Sequence, residues 1–149
     1  DEVEGTVGRI NGKHGELGNP PVHYLHHSYP REEMAALYLA ADVMLVTSLR
    51  DGMNLVAKEF IASRGDETGA LVLSEFTGAA DELVGAFLVN PHDIDGLKES
   101  IVAAARVGPA EARRRMRAMR RRVRDNDVAS WASSFLGALR DQPAPSPAD

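Results

Sequence analysis

The stretch that most constrains this chain is Val43-Met44-Leu45-Val46-Thr47 running into Leu49-Arg50-Asp51-Gly52-Met53-Asn54-Leu55-Val56-Ala57-Lys58-Glu59. A short apolar run bounded by turn residues predicts a buried strand, and the composition from Leu55 onward predicts a helix. Gly52 offers backbone freedom between them, and Asn54 is a natural N-cap. Strand, loop and helix in that order are how open α/β sheets present a ligand at the carboxyl ends of their strands. The amides that a helix leaves unpaired at its N-terminus, here those of Asn54 and Leu55, suit a phosphate.

Two carboxylates flank that helix start. Glu59 lies four residues after Leu55, on the same face and about 5.4 Å further along, where an acceptor-only group suits the two hydroxyls of a ribose. Asp51 precedes the helix and can accept from sugar hydroxyls on the other side of the phosphate. Turn and cap roles for Asp51 and Asn54, and a solvated carboxylate for Glu59, are the ordinary alternatives. Spacing alone does not decide between them.

The rest of the chain predicts repeated β and α elements. Val22 to His26 alternates as a strand, followed by a helix opened by Pro30, Glu32 and Glu33 and ending near Ala40. Ala70 to Ser74 and Ala86 to Val89 are further buried strands, with a short helix from Thr77 or Gly78 through Leu83 between them. Three helices follow, from about Asp93 to Val107, Pro109 to Arg124 and Val128 to Leu139. The expected fold is an α/β, doubly wound Rossmann-like parallel sheet with helices on both faces and a C-terminal helical segment. Residues 142–149, rich in Pro and Ala, are expected to be a disordered tail.

At 149 residues with 44% apolar content, the chain has the length and composition of one globular domain. Its formal charge of −5 gives no global pull toward nucleic acid or an anionic membrane. With no cysteine and no apolar run of membrane-spanning length, a cytoplasmic protein is the expectation. The arginines between Arg113 and Arg124 surround an apolar stripe of Met116, Met119 and Val123, which favours a solvated helix face over a nucleic-acid surface. His23, His26 and His27 do not share a strand face well enough to predict a metal site. Trp131 is expected to anchor the last helix by packing.

The stretch Leu49–Glu59 resembles the signature of trehalose-6-phosphate synthases, retaining glucosyltransferases of the two-domain GT-B architecture. The likeness extends back through Thr6-Val7-Gly8-Arg9-Ile10-Asn11-Gly12, Tyr24-Leu25-His26 and Ala41-Asp42-Val43-Met44-Leu45-Val46-Thr47. It runs forward through Leu71-Val72-Leu73-Ser74-Glu75-Phe76-Thr77-Gly78-Ala79-Ala80, Val89-Asn90-Pro91 and Asn126-Asp127 to Trp131. Ser48 stands where the family usually has proline. The resemblance implies that residues 1–141 form an incomplete nucleotide-sugar-binding domain, the C-terminal part of a GT-B enzyme.

By position, the resemblance implies that Asp51 meets the donor glucose. Backbone groups of Met53, Asn54 and Leu55 would meet its hydroxyls and the diphosphate, and Gly52 would belong to the same substrate-binding loop. Glu59 would hold the ribose and Tyr29 the base. The implied donor is UDP-, ADP- or GDP-glucose and the implied acceptor glucose 6-phosphate, with no cofactor and no required metal. The diphosphate-clamping Arg and Lys and the acceptor-binding domain are expected upstream of Asp1, so the chain alone is expected to be inactive. A homo-oligomer of the complete protein is compatible with the sequence. A related glucosyltransferase with another acceptor, or an inactive nucleotide-sugar-binding module, would share the same stretch.

Overall fold

The computed structural model describes residues 1–140; the tail expected over residues 142–149 lies outside the described residues. The chain divides into two compact units, the first spanning Asp1–Arg31 and the second beginning at Glu32.

The first unit holds one helix, α1 (Glu2–His14), with Glu2 and Glu4 in its first turn and Lys13 and His14 in its last, the charge order that its dipole favours. None of its residues is buried. The strand expected over Val22–His26 does not form. Instead, the Asn11 side chain donates to the Val22 carbonyl (2.8 Å) and accepts from the Val22 amide (3.0 Å), using the groups a ladder would need. Pro20 and Pro21 immediately before have no amide to contribute.

The second unit is an α/β body. Its elements follow in the order α2 (Arg31–Ala40), β1 (Val43–Val46), α3 (Leu55–Ser63), β2 (Ala70–Ser74), a 3-10 helix (Gly78–Asp81) and β3 (Phe87–Val89). Three helices complete it: α4 (Ile94–Ala105), α5 (Pro109–Asp125) and α6 (Val128–Arg140). The short helix expected from Thr77 or Gly78 is thus a single 3-10 turn.

The strands pair in parallel in chain order β1-β2-β3, with Val43 opposite Ala70 and Val72 opposite Phe87. Every residue of β2 is buried, which explains its unbroken apolar run: a central parallel strand has no solvent face. Leu71 and Leu73 point to one side, where Ala57, Phe60 and Ile61 of α3, Ala79 and Ala80 of the 3-10 helix, and Met116 and Met119 of α5 close over them. Ala70 and Val72 point to the other, against Ala104 and Leu97 of α4. Helices therefore cover both faces, as expected. Full burial of side chains such as Phe60, Ile61 and Leu73 contributes about 1.5–3 kcal/mol each.

The apolar stripe of α5 faces this core and its arginines face outward, several of them paired: Arg114 and Arg115 with Glu111, and Arg117 with Glu67. Arg115 also lies over the Phe87 ring at 4.5 Å. The expectation for Trp131 needs correcting. It stacks on Phe135 with ring centroids 5.3 Å apart, and both remain exposed on a helix with no buried residue. Stacking on a neighbour one helical turn away satisfies the rings locally without anchoring the helix.

Candidate functional site: the loop between β1 and α3

The carboxyl edge of the sheet carries the outlets of all three strands, and the longest of them is the loop from Thr47 to Asn54 that leads into α3. Its backbone is laid along the outlet of β2. The Asp51 amide donates to the Phe76 carbonyl (3.2 Å), the Gly78 amide to the Asp51 carbonyl (3.1 Å) and the Ala79 amide to the Met53 carbonyl (2.9 Å). At this crossing a Cβ on Gly78 would stand 2.2 Å from the Gly52 carbonyl oxygen, so only glycine allows the two chains to approach this closely.

Asp51 and Asn54 shape the loop from within. One oxygen of Asp51, Oδ1, accepts from the amides of Met53 and Asn54, both at 3.0 Å, and Oδ2 accepts from the Asn54 side-chain amide at 2.9 Å. Chiefly the Met53 amide, then the Asn54 side chain, hold the Asp51 carboxyl below its ordinary range. Asn54 adopts a left-handed backbone conformation, φ 72°, and its side-chain oxygen caps α3 by accepting from the Ala57 amide at 2.8 Å. The conformational freedom expected of Gly52 is therefore used at Asn54, a residue type that tolerates this region.

The helix start is left with donors to spare. Among the described residues, the Leu55 and Val56 amides have no protein acceptor, and their side chains, with that of Met53, are exposed around them. Of the amides nominated from sequence, those of Met53 and Asn54 are occupied by Asp51, whereas that of Leu55 is open. A phosphate at this helix start would meet open N–H groups and the positive end of the α3 dipole.

Glu59 is exposed on the same side of α3 as Leu55, one turn further on, as the spacing predicts. Its Oε2 accepts from the Tyr38 hydroxyl at 3.2 Å. Tyr38 itself is buried. Its neighbour Lys58 turns the other way and binds both oxygens of Glu82 at 2.9 and 3.0 Å, tying α3 to the end of the 3-10 helix. The loop and α3 thus bring together Asp51, Gly52, Met53, Asn54, Leu55 and Glu59 in the second unit. Tyr29 belongs to the first unit, where its ring is tilted against His27 at 4.1 Å.

Sequence reasoning missed Arg64. It follows α3, is 3% exposed, and its guanidinium donates to the carbonyls of Tyr38 (3.1 Å), Leu39 (2.6 Å), Ala41 (3.2 Å) and Thr68 (3.0 Å) and pairs with Asp66 (3.2 Å). It also binds the Thr68 hydroxyl. A cation there satisfies the last carbonyls of α2 and complements the negative end of its dipole. A signal was present: Arg64 continues the buried series Ala57, Phe60, Ile61 at the helical interval, a charge placed on the apolar face.

A cleft of about 410 Å³ lined by Asp42, Thr68, Gly69 and Arg113 lies at the opposite, amino edge of the sheet, away from the loop. Among the described residues, no helix is long and apolar enough to cross a membrane.

Known proteins are similar to this chain in sequence and in fold. The chain is 61% identical over 144 residues to trehalose-6-phosphate synthase of Mycobacterium leprae, covering 97% of this chain and 29% of that protein. It is 62% identical over 139 residues to the synthase of Mycolicibacterium smegmatis, covering 93% and 28%. Among solved structures, an α,α-trehalose-phosphate synthase (UDP-forming) from Burkholderia xenovorans in complex with glucose-6-phosphate matches with a TM-score of 0.88 at 47% identity, over 93% of this chain and 31% of that one. A trehalose-6-phosphate protein from E. coli bound with UDP-2-fluoro glucose matches with a TM-score of 0.89 at 40% identity, over 95% and 32%. The chain therefore spans less than a third of the length of these relatives. The model of glycosyltransferase family 20 matches residues 1–141, nearly the whole sequence, and with the fold and the loop described above this places the chain in glycosyltransferase family 20.

Proposed function

We propose that this chain supplies the donor-binding part of a trehalose-6-phosphate synthase, in which glucose passes from a nucleotide-glucose to glucose 6-phosphate to give trehalose 6-phosphate. The bond between the anomeric carbon and the diphosphate oxygen breaks, and a bond to an acceptor hydroxyl oxygen forms on the same face of the sugar. The acceptor's proton leaves with the nucleoside diphosphate. Charge gathers on the departing diphosphate, so its stabilisation is the main task of the site.

The observation that carries this reading is the open start of α3. The Leu55 and Val56 amides have no acceptor among the described residues, with a carboxylate at Asp51 in the loop before them and another, one turn along the helix, at Glu59. In this assignment those amides and the helix dipole meet the diphosphate, Asp51 meets glucose hydroxyls, and Glu59 meets the ribose. When Asp51 turns to the sugar it releases the Met53 and Asn54 amides, which then become available to the donor. Family membership and the relatives solved with glucose-6-phosphate and with a UDP-glucose analogue support the same pair of substrates. The acceptor is assigned to the length of the relatives that this chain does not match.

The test uses a full-length protein carrying this chain, mixed with glucose 6-phosphate and UDP-, ADP- or GDP-glucose in turn, with release of nucleoside diphosphate as the readout. One donor is expected to support turnover, and residues 1–149 alone are expected to support none. Saturable donor binding without turnover would replace the transferase by a nucleotide-sugar-binding module. Turnover only with another phosphorylated acceptor would replace glucose 6-phosphate.

A further inference from the structure

Glu59 is an exposed glutamate, and such a side chain ordinarily samples many rotamers that a ligand must then restrict. Here it is held. The Tyr38 hydroxyl reaches from α2 to Glu59 Oε2 (3.2 Å), and Glu59 is its only side-chain partner among the described residues. The phenol is prevented from wandering in turn: the Tyr38 ring is 6% exposed and packs edge-on against Phe60, with centroids 6.3 Å apart. Its backbone is fixed as well, because Arg64 binds the carbonyls of Tyr38 and Leu39. Gly69, at φ +82°, makes room for that guanidinium, since a Cβ there would already press on it at 3.3 Å.

We infer that Tyr38 is a positioning residue for donor recognition: through its hydroxyl it sets the Glu59 carboxylate in the orientation that receives the ribose hydroxyls of the nucleotide. This rests on the assignment of Glu59 to the ribose. A carboxylate has about four acceptor positions, and the phenol uses one, on Oε2. Oε1 and the remaining position of Oε2 stay free for the two neighbouring hydroxyls. Burial first, then the bond to Glu59, pushes the Tyr38 phenol above its ordinary range, so it remains a donor throughout the pH range of a working enzyme. The positioning group belongs to α2, an element without any of the residues assigned to the donor in the second unit, which is why the loop motif gives no sign of it.

The experiment compares Tyr38→Phe, Glu59→Ala and the double variant with the parent, all in the full-length protein. The donors are the nucleoside-diphosphate glucose it turns over best and the 2′-deoxyribose counterpart of that donor. Tyr38→Phe keeps the ring against Phe60 and removes one oxygen. It is expected to raise the donor KM by about 3- to 10-fold, the range of one hydrogen bond, with kcat unchanged. The preference for the ribose donor over its deoxy counterpart is expected to fall by the same factor. In the Glu59→Ala background the same change is expected to have no further effect. A merely structural role for Tyr38 would weaken both donors alike and would persist in that background, and this result overturns the proposal. Should Tyr38→Phe keep the full ribose preference while Glu59→Ala loses it, the positioning role fails and the ribose assignment stands. If Glu59→Ala itself keeps the preference, the ribose assignment fails and takes the proposal with it.

Discussion

The two ends of helix α3 are built on opposite plans. At its C-terminal end, Arg64 is buried and its guanidinium is consumed by α2 carbonyls, Thr68 and Asp66. At its N-terminal end, Asp51 and Asn54 satisfy each other and the loop, yet the Leu55 and Val56 amides remain unmatched and open. One end commits every polar group to the fold, and the other holds its shape while keeping donors in reserve. A helix anchored firmly at one end can leave the other incomplete, because the position of the open end is already fixed by the anchor and by the burial of Ala57, Phe60 and Ile61.

The contrast is open to attack at three points. The largest effect is expected at the closed end. Arg64→Met leaves the carbonyls of Tyr38, Leu39 and Ala41 facing an apolar side chain and is expected to cost about 2–4 kcal/mol in urea unfolding. A loss below 1 kcal/mol would mean that the closed end is no anchor. At the open end a smaller and graded effect is expected. Asn54→Ala loses the cap and the bond to Asp51 and keeps a Cβ in the left-handed region, at a cost of about 1–2 kcal/mol, whereas Asn54→Gly loses the same two bonds without that Cβ and costs a few tenths to about 1. Equal losses would show that the φ of 72° carries no strain for alanine there.

The smallest effect is electrostatic and is read directly from the carboxyl of Asp51. Its folded pKa lies below the ordinary 3.8, so the interactions it makes with Met53 and Asn54 are fully present above that value and are lost as pH falls through the lower, folded one. A carboxyl NMR titration should place the Asp51 midpoint under 3.8, and Asn54→Ala should move it back upward. A midpoint at or above 3.8 would show that Asp51 does not hold the loop in solution.

Much of the second unit is legible along the chain, because its determinants are local. The unbroken apolar run of Ala70 to Ser74 predicts a strand covered on both faces, Asn54 predicts a cap, and Met116, Met119 and Val123 predict the inward stripe of an otherwise charged helix. Val22 to His26 shows where local pattern fails. Alternation describes a strand only if a partner accepts its backbone groups, and there the Asn11 side chain takes those of Val22. Trp131 fails similarly, since a large ring does not by itself indicate what it packs on. The Tyr38–Glu59 contact spans 21 positions, and the contacts of Arg64 with Tyr38, Leu39 and Ala41 span 23 to 26. No periodicity reports partners at that separation. Of the site itself, the sequence shows the loop and its carboxylates but hides that Asp51 already holds two of the amides nominated for the ligand.

The crossing of Gly52 and Gly78 has a consequence for how such a site can diversify. There the outlets of β1 and β2 meet backbone to backbone, with no room for a side chain at Gly78. Side-chain substitution can neither widen nor narrow the crossing without breaking it. Substitution at the exposed positions Met53, Leu55 and Val56 meets no such restriction, so the loop can change its outer side chains while this crossing stays constant.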